Sequence, residues 1–235
     1  MNNKKNIVVL TGAGISAESG IQTFRDADGL WEGHDVMSVA SPQGWAKNQA
    51  LVLTFYNDRR RQLFTVQPNA AHEALVELEA HYQVTIVTQN VDDLHERAGS
   101  SNVIHLHGEL RKSRSVADED LIYNCDKDIN LGDKAEDGAQ LRPHIVWFGE
   151  AVPMLGLAAQ HVHDADVILV VGSSMQVYPA AGLVGYARPH TPVFYIDKNP
   201  SVNHELSTRR NLEVIAKPAT EGVRLIVDKL LSELK

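Results

Sequence analysis

The sequence predicts an α/β protein built on a doubly wound parallel sheet, and three observations carry that prediction. Short β-branched runs recur along the chain and are apolar nearly throughout, as strands covered by helices on both faces must be. Helical patterns alternate with them, which is the arrangement that yields parallel pairing. At 235 residues, 43% of them hydrophobic, the chain is long enough for one sizeable core and a small insert.

Strands are expected at Ile7–Leu10, Val84–Thr88, Val103–Leu106, Val167–Val171 and Val193–Ile196. The clearest helix is the last one, where Val223, Ile226, Val227, Leu230, Leu231 and Leu234 form one apolar stripe. Ala71–Ala80 reads similarly, with Pro68 and Asn69 as its start signal. Two stretches break the alternation. Thr23–Gln67 holds Trp31 and Trp45 and a helix expected from Gln49 to about Phe64. Lys112–Gln140 is polar and loop-like, with a short strand expected at Leu121–Cys125. The expected division is a Rossmann-like domain of residues 1–22, 68–111 and 141–235, and a smaller lobe of residues 23–67 and 112–140.

A net charge of −8 argues against a general nucleic-acid binder, while leaving basic, lysine-bearing partners open. The longest apolar run, Val167–Val171, is far too short to span a bilayer, so no membrane role is expected. The opening MNNKKNIVVL lacks the long apolar stretch and small-residue cleavage site of a signal peptide. Cys125 stands alone, which excludes an internal disulfide and suits a cytoplasmic location.

The first strand runs into Thr11-Gly12-Ala13-Gly14-Ile15-Ser16, with Ser19 and Gly20 following. Two glycines in alternate positions permit a tight turn and close approach of a pyrophosphate to backbone N–H groups. A helix N-terminus beside them would favour the negative charge. The spacing is G-x-G-x5-G, not the G-x-G-x-x-G of dehydrogenases, and alone it also fits a plain tight turn. Gln89, Asn90 and Asp92 follow a strand end, where α/β folds collect ligand groups. Amide and carboxylate there can bond a ribose and a carboxamide, or can form an Asx-rich turn capping a helix at Asp93–Ala98. Val193–Ile196 leads into Asp197, a carboxylate that can accept from a ribose diol and repel a 2′-phosphate, or can serve as a turn residue.

Five segments, in order and covering nearly the whole chain, resemble sirtuins, the NAD-dependent protein-lysine deacylases. They are Gly12-Ala13-Gly14-Ile15-Ser16 with Gly20 and Thr23-Phe24-Arg25; Thr88-Gln89-Asn90-Val91-Asp92-Asp93-Leu94-His95; His105-Leu106-His107-Gly108-Glu109; Arg142 to Glu150; and Gly172-Ser173-Ser174 through Tyr178-Pro179-Ala180-Ala181. The resemblance implies NAD held by Gly12, Ala13, Gly14, Ser16, Gln89, Gly172, Ser173 and Ser174. It assigns Asp92 to the nicotinamide carboxamide and Asn90 to the ribose and the chemistry there. Phe24 would shield C1′, Arg25 would order the cofactor loop, and Ala219 would lie near the adenine. Among eleven histidines, the following Gly108 selects His107 as general base, with His105 and His95 as scaffold. Asp197 and Asn199 depart from the family, which usually has Asn and Glu there.

The same resemblance places the substrate, an acyl-lysine on a protein, along Val146, Phe148 and Gly149. Its products would be nicotinamide, free lysine and an O-acyl-ADP-ribose, and the enzyme would be a monomer. Most sirtuins carry a four-cysteine zinc ribbon after the histidine; here Cys125 is alone and Ser115 stands at the first ligand position, so no zinc is expected. Asp118, Glu119, Asp120, Asp126 and Asp128 read as a solvated acidic loop. Tyr56 and Arg59, three apart on one helix face, resemble the pair of class III sirtuins that accept succinyl- or malonyl-lysine, and the small Ala40 leaves room for the longer group. Arg60 and Arg61 read as the rest of a solvated basic face.

Overall fold

The computed structural model describes residues 4–22 and 30–233. Phe24 and Arg25 lie outside the described residues. In chain order the strands are β1 Asn6–Thr11, β2 Leu30–Trp31, β3 His34–Asp35, β4 Gln83–Thr88, β5 Val103–His105, β6 Gly108–Ser115, β7 Ile122–Asn124, β8 Leu141–Ile145, β9 Val167–Val171, β10 Val193–Ile196 and β11 Leu212–Ile215. The helices are α1 Val36–Val39, α2 Pro42–Lys47, α3 Gln49–Leu63, α4 Ala70–Leu78, α5 Leu94–Ala98, α6 Leu155–Asp164, α7 His204–Ser207 and α8 Ala219–Ser232.

Six strands form one parallel sheet in the order β11-β10-β9-β1-β4-β5. The chain therefore winds outward from β1 to one side and then returns to wind outward on the other. That is the Rossmann-like order expected from the alternation, and it puts the topological switch point at the carboxyl end of β1. Apolar residues of α4 and α8 cover one face of the sheet, while α6 and the 3-10 segment Ala180–Tyr186 cover the other. The central strands bury both faces, so Val167–Val171 and Val193–Ile196 read as unbroken apolar runs. α4 begins where Asn69 caps it: the Asn69 side chain accepts from Ala71 N at 2.9 Å.

A second, three-stranded antiparallel sheet, ordered β7-β6-β8, stands apart. It draws in Gly108–Lys112 and Leu141–Ile145, so it extends on both sides of the 112–140 segment that the sequence marked as irregular. β6 (GELRKSRS) has no apolar run to announce it, and Pro143 sits in β8, an edge strand of this sheet. The acidic loop is not simply solvated. Asp126 accepts from Arg111 Nε at 2.8 Å, and Asp128 pairs with Arg61 at 3.3 Å. The edge strand β11, half exposed and carrying Glu213, also lacked a legible pattern.

The basic run on α3 divides three ways. Arg61 is exposed and pairs with Asp58, Arg59 is half-buried, and Arg60 is buried with 1% of its surface exposed. Arg60 Nε donates to Leu110 O at 2.7 Å and Nη1 donates to Asn57 Oδ1 at 2.8 Å, tying α3 to β6. The solvated-face expectation fails at this residue because a helix face pressed on polar β6 must meet its carbonyls. Burial also pushes the Arg60 pKa down.

Arg60→Ala is expected to cost at least about 3 kcal/mol, from the void and the orphaned Leu110 carbonyl. Arg60→Met should cost less, because it fills the space and removes a desolvated charge. Urea denaturation midpoints would decide it; losses within about 0.5 kcal/mol, the surface value, would return Arg60 to the solvent face.

Candidate active site

A cleft of about 670 Å³ opens at the switch point and runs on between the parallel sheet and the antiparallel one. Its size is that of a small-molecule site. Gly12, Ala13 and Gly14 form one wall at the end of β1, and Gly172, Ser173 and Ser174 form the adjoining wall at the end of β9. Gly12 N donates to Val171 O at 3.0 Å and Gly14 N to Gly172 O at 2.8 Å. A Cβ on Gly14 would lie 2.6 Å from Gly172 Cα, and Gly172 itself has φ +61°. The two loops thus meet backbone to backbone, and only glycine fits.

After this turn the chain makes two 3-10 turns, Ala13–Ile15 and Ala17–Ser19, instead of the expected α-helix. The helix-dipole contribution expected there is absent, so anion binding at this loop falls to its local N–H groups. Ser16 is also placed differently from the cofactor contact expected of it. It is fully buried and does not line the cleft. Its hydroxyl accepts from Asn90 Nδ2 at 3.2 Å and donates to Asp92 Oδ2 at 3.0 Å. Ser16 thereby orients the two residues beside it.

Gln89, Asn90 and Asp92 follow β4 and all three line the cleft. Gln89 Nε2 donates to Ser173 Oγ at 3.0 Å. Asn90 Nδ2 donates to Gly12 O as well as to Ser16, both at 3.2 Å, and its Oδ1 accepts no hydrogen bond from the described residues. Asp92 Oδ1 accepts from Leu94 N at 3.1 Å, so Asp92, rather than Asp93, supplies the side-chain bond to the start of α5. Burial raises the Asp92 pKa to about 6, against its bonds from Leu94 and Ser16.

His107 follows β5 and lines the cleft. Its Nδ1 lies 3.1 Å from Gln89 O, an atom that can only accept. Nδ1 therefore carries the proton and Nε2 keeps its lone pair. Burial holds its pKa below the usual imidazole value, so the ring is neutral at pH 7 and ready to take a proton. Gly108 adopts φ +82°, and a Cβ there would collide with His144 O. This is the physical reason for glycine after the histidine: the chain passes directly beneath β8 as it leaves the parallel sheet.

His105 projects differently. Its Nδ1 is 3.2 Å from Asn90 O and its Nε2 is 2.7 Å from Glu96 Oε1. Both partners are acceptors, so the ring is satisfied only as an imidazolium. Burial opposes that charge, but the Glu96 bond and the charges of Glu96 and Glu109 outweigh it and raise the pKa. His95 is buried and neutral, with Nε2 3.1 Å from Thr11 Oγ1.

Farther along, Asp197 and Ala219 line the end of the cleft remote from His107. Asp197 Oδ1 accepts from Asn199 N at 2.8 Å, so the strand-end turn is real and the carboxylate lines the cleft as well. At the other end stand Val146, Phe148, Gly149, Ala40 and Tyr56. Arg142 clamps Glu150 through two nitrogens, at 2.7 and 3.1 Å, and lies 3.3 Å over the Trp147 ring. Phe148 N donates to Ala40 O at 2.9 Å. Trp147 Nε1 donates to Tyr56 Oη at 3.1 Å. Arg59 does not line the cleft; it pairs with Glu32 at 3.3 Å. Trp31 and Trp147, which the sequence reading did not assign to the site, also line it; their signal was two tryptophans in stretches otherwise lacking periodicity.

A family model described as "Sir2 family" matches residues 12–179. An NAD-dependent protein deacylase of Helicobacter pylori is 58% identical over 227 residues, 97% of this chain and 98% of that one. One of Bacteroides thetaiotaomicron is 51% identical, covering 97% and 98%. Among solved structures, a Sir2 homolog–NAD complex superposes with TM-score 0.86 at 38% identity over 99% of this chain and 91% of that one. A Sir2 bound to acetylated peptide superposes at 0.77 with 28% identity over 97% and 94%.

The raised pKa of Asp92 has a stability consequence. Folding favours its protonated form, so that contribution is whole below about pH 4 and is lost as pH rises through about 6. The loss is on the order of 3 kcal/mol at 1.36 kcal/mol per pH unit. Asp92→Asn should remove this fall, so the variant gains on the wild type between pH 4 and 7 in denaturation midpoint. Parallel pH profiles for the two proteins would sink the assignment.

Proposed function

The chain belongs to the Sir2 family, and from that membership we propose how its cleft works as an NAD-dependent protein-lysine deacylase that accepts acidic acyl groups beside acetyl. The observation that carries the reading is the His107 ring, fixed by Gln89 O so that Nε2 is a neutral base in the cleft shared with the glycine turn. The donor set fits a dinucleotide: close-packed glycines at the switch point, a strand-end carboxylate at Asp197, and an amide at Asn90 whose Oδ1 accepts nothing from the described residues.

When bound, NAD would supply an electrophilic ribose carbon from which the acyl oxygen displaces nicotinamide, and with one water consumed the products would be nicotinamide, free lysine and an O-acyl-ADP-ribose. Asn90 Oδ1 accepts from a ribose hydroxyl. Asp92 meets the nicotinamide carboxamide, and its partly protonated carboxyl can accept or donate there. His107 Nε2 would take the proton of a ribose hydroxyl as that oxygen adds across the C=N bond of the activated acyl group; the bond to the lysine nitrogen would break afterwards, as water adds and the amine leaves. Asp197 repels a 2′-phosphate and so selects NAD over NADP.

Val146 N is already bonded to His107 O at 2.9 Å, so the Val146 carbonyl is the group that receives the substrate's side-chain amide N–H. The peptide lies beside Val146–Gly149 as an added strand. Ala40 leaves space at the acyl end and the Tyr56 hydroxyl borders it. Arg59, one turn farther along α3, supplies a guanidinium for a terminal carboxylate. A charge-assisted bond contributes about 1.5–3 kcal/mol, or roughly ten- to a hundredfold in preference.

His107→Ala should slow release of free lysine peptide at least about a hundredfold, with the denaturation midpoint unmoved. In the wild type the acid limb of kcat/KM should lie below pH 6.5, the direction in which burial moves this imidazole. A variant that keeps most of its turnover would refute the base assignment. Separately, Arg59→Met should cut the ratio of succinyl- to acetyl-lysine kcat/KM at least about tenfold; an unaltered ratio would remove the acidic-acyl reading.

A further inference from the structure

We infer that Glu32 is an internal counter-ion that occupies Arg59 when the acyl group is neutral and yields it to a substrate carboxylate, so that one pocket accepts both classes. The inference rests on the acidic-acyl reading above and goes beyond it.

Arg59 is half-buried on α3, and its Nη1 stands 3.3 Å from Glu32 Oε2. Its Nε is buried with no hydrogen-bond partner among the described residues, and its guanidinium lies 5.3 Å from the Phe55 ring centroid. A guanidinium has five N–H donors arranged to meet two oxygens at once. Here one carboxylate oxygen touches one terminal nitrogen and the inner donor is orphaned. Such a fork is incompletely satisfied, and because Arg59 does not line the cleft as it stands, a substrate carboxylate engages it as the side chain swings from Glu32 toward the cleft, where Nε and a terminal nitrogen can meet two oxygens together.

Glu32 is placed to serve this exchange. It sits at the turn joining β2 to β3, with φ +50°, a left-handed position unusual for a residue with a side chain. The residue before it, Trp31, lines the cleft and packs edge-on against Phe55 at 5.0 Å and Tyr56 at 6.0 Å. Glu32 and Arg59 therefore form the layer just behind the acyl end of the cleft.

The chemistry follows from charge. With a neutral acyl group bound, a half-buried Arg59 without a counter-ion would be costly, and Glu32 removes that cost. With a succinyl or malonyl group bound, the substrate carboxylate takes the fork, and Glu32 becomes a like charge that opposes it. Glu32 thus narrows the difference between the two substrate classes. It acts on binding, since the carboxylate end is remote from the reacting amide carbon.

The test uses matched acetyl-, succinyl- and malonyl-lysine peptides with NAD, reading the ratio of kcat/KM within one preparation, which is insensitive to the fraction folded. Glu32→Gln should raise the succinyl-to-acetyl and malonyl-to-acetyl ratios about tenfold, equivalent to ~1.4 kcal/mol, with the change in KM. Glu32→Asp, which keeps the charge, should stay near the wild-type ratio. In the Arg59→Met background, Glu32→Gln should have no further effect on the ratio. If Glu32→Gln leaves the ratio within twofold while Arg59→Met collapses it, the counter-ion role is wrong and the acidic-acyl reading survives. If Arg59→Met itself leaves the ratio unchanged, the reading beneath the inference fails.

Discussion

The passage of the chain beneath β8 at Gly108 is the constraint on which the site depends. His144 O occupies the space where any side chain would go, so the backbone leaves the parallel sheet at one fixed point. The residue on one side of that point is His107, and His107 O receives Val146 N. One backbone hydrogen bond therefore fixes His107, the proposed base, relative to the segment proposed to carry the acyl-lysine. The ring is set from the opposite side by Gln89 O. Both sheets meet in the placement of one imidazole.

The charged groups around that joint have been pulled from their solution behaviour in different directions. Burial holds His107 neutral and raises the pKa of Asp92, while Glu96 and Glu109 keep His105 charged against burial. His105 and His107 lie two residues apart and bond the consecutive carbonyls of Asn90 and Gln89. The charged ring braces the loop and the neutral one lines the cleft. Perturbed groups of this kind concentrate where chemistry is done, because a well-solvated surface offers no means of separating such values.

What the sequence made legible follows from how each part is buried. Strands covered on both faces are continuous apolar runs, and Val167–Val171 and Val193–Ile196 were read to the residue. Half-covered strands carry no such mark: β6 is largely polar, and β11, at an edge, buries none of its four residues fully and does not alternate. The Gly12–Gly14 turn, the Gln89–Asp92 segment and His107 were legible as motifs, and the structure brings them to one cleft. The Ser16 network was not, since a serine beside a glycine turn looks like a ligand contact whether it faces the cleft or the core. Arg60 was missed for a related reason. Its burial depends on β6 carbonyls that are distant in sequence, and no local pattern reports them.

The smaller sheet has one cysteine in its connecting segment, so a four-cysteine ribbon cannot form within this chain, and its order must come from elsewhere. Helix α3 supplies part of it. Asn57 brackets Ile129, its Nδ2 donating to Ile129 O and its Oδ1 accepting from Ile129 N, each at 2.9 Å. Arg60 bonds Asn57 and the Leu110 carbonyl, and Leu53 packs against Cys125 and Ile129. These residues recur at three- and four-residue spacing, which marks one face of the helix. Tyr56 and Arg59 recur on the neighbouring face, one residue earlier in the turn. The helix that organises the 112–140 segment is thus the same element that carries Tyr56 and Arg59, the pair proposed to meet the acyl group. Its position is fixed on one side by the side chains of Arg60 and Asn57, which bond backbone groups of β6 and of Ile129. On the other side of the same helix the Arg59 guanidinium stands 3.3 Å from Glu32 with its inner N–H still without a partner among the described residues.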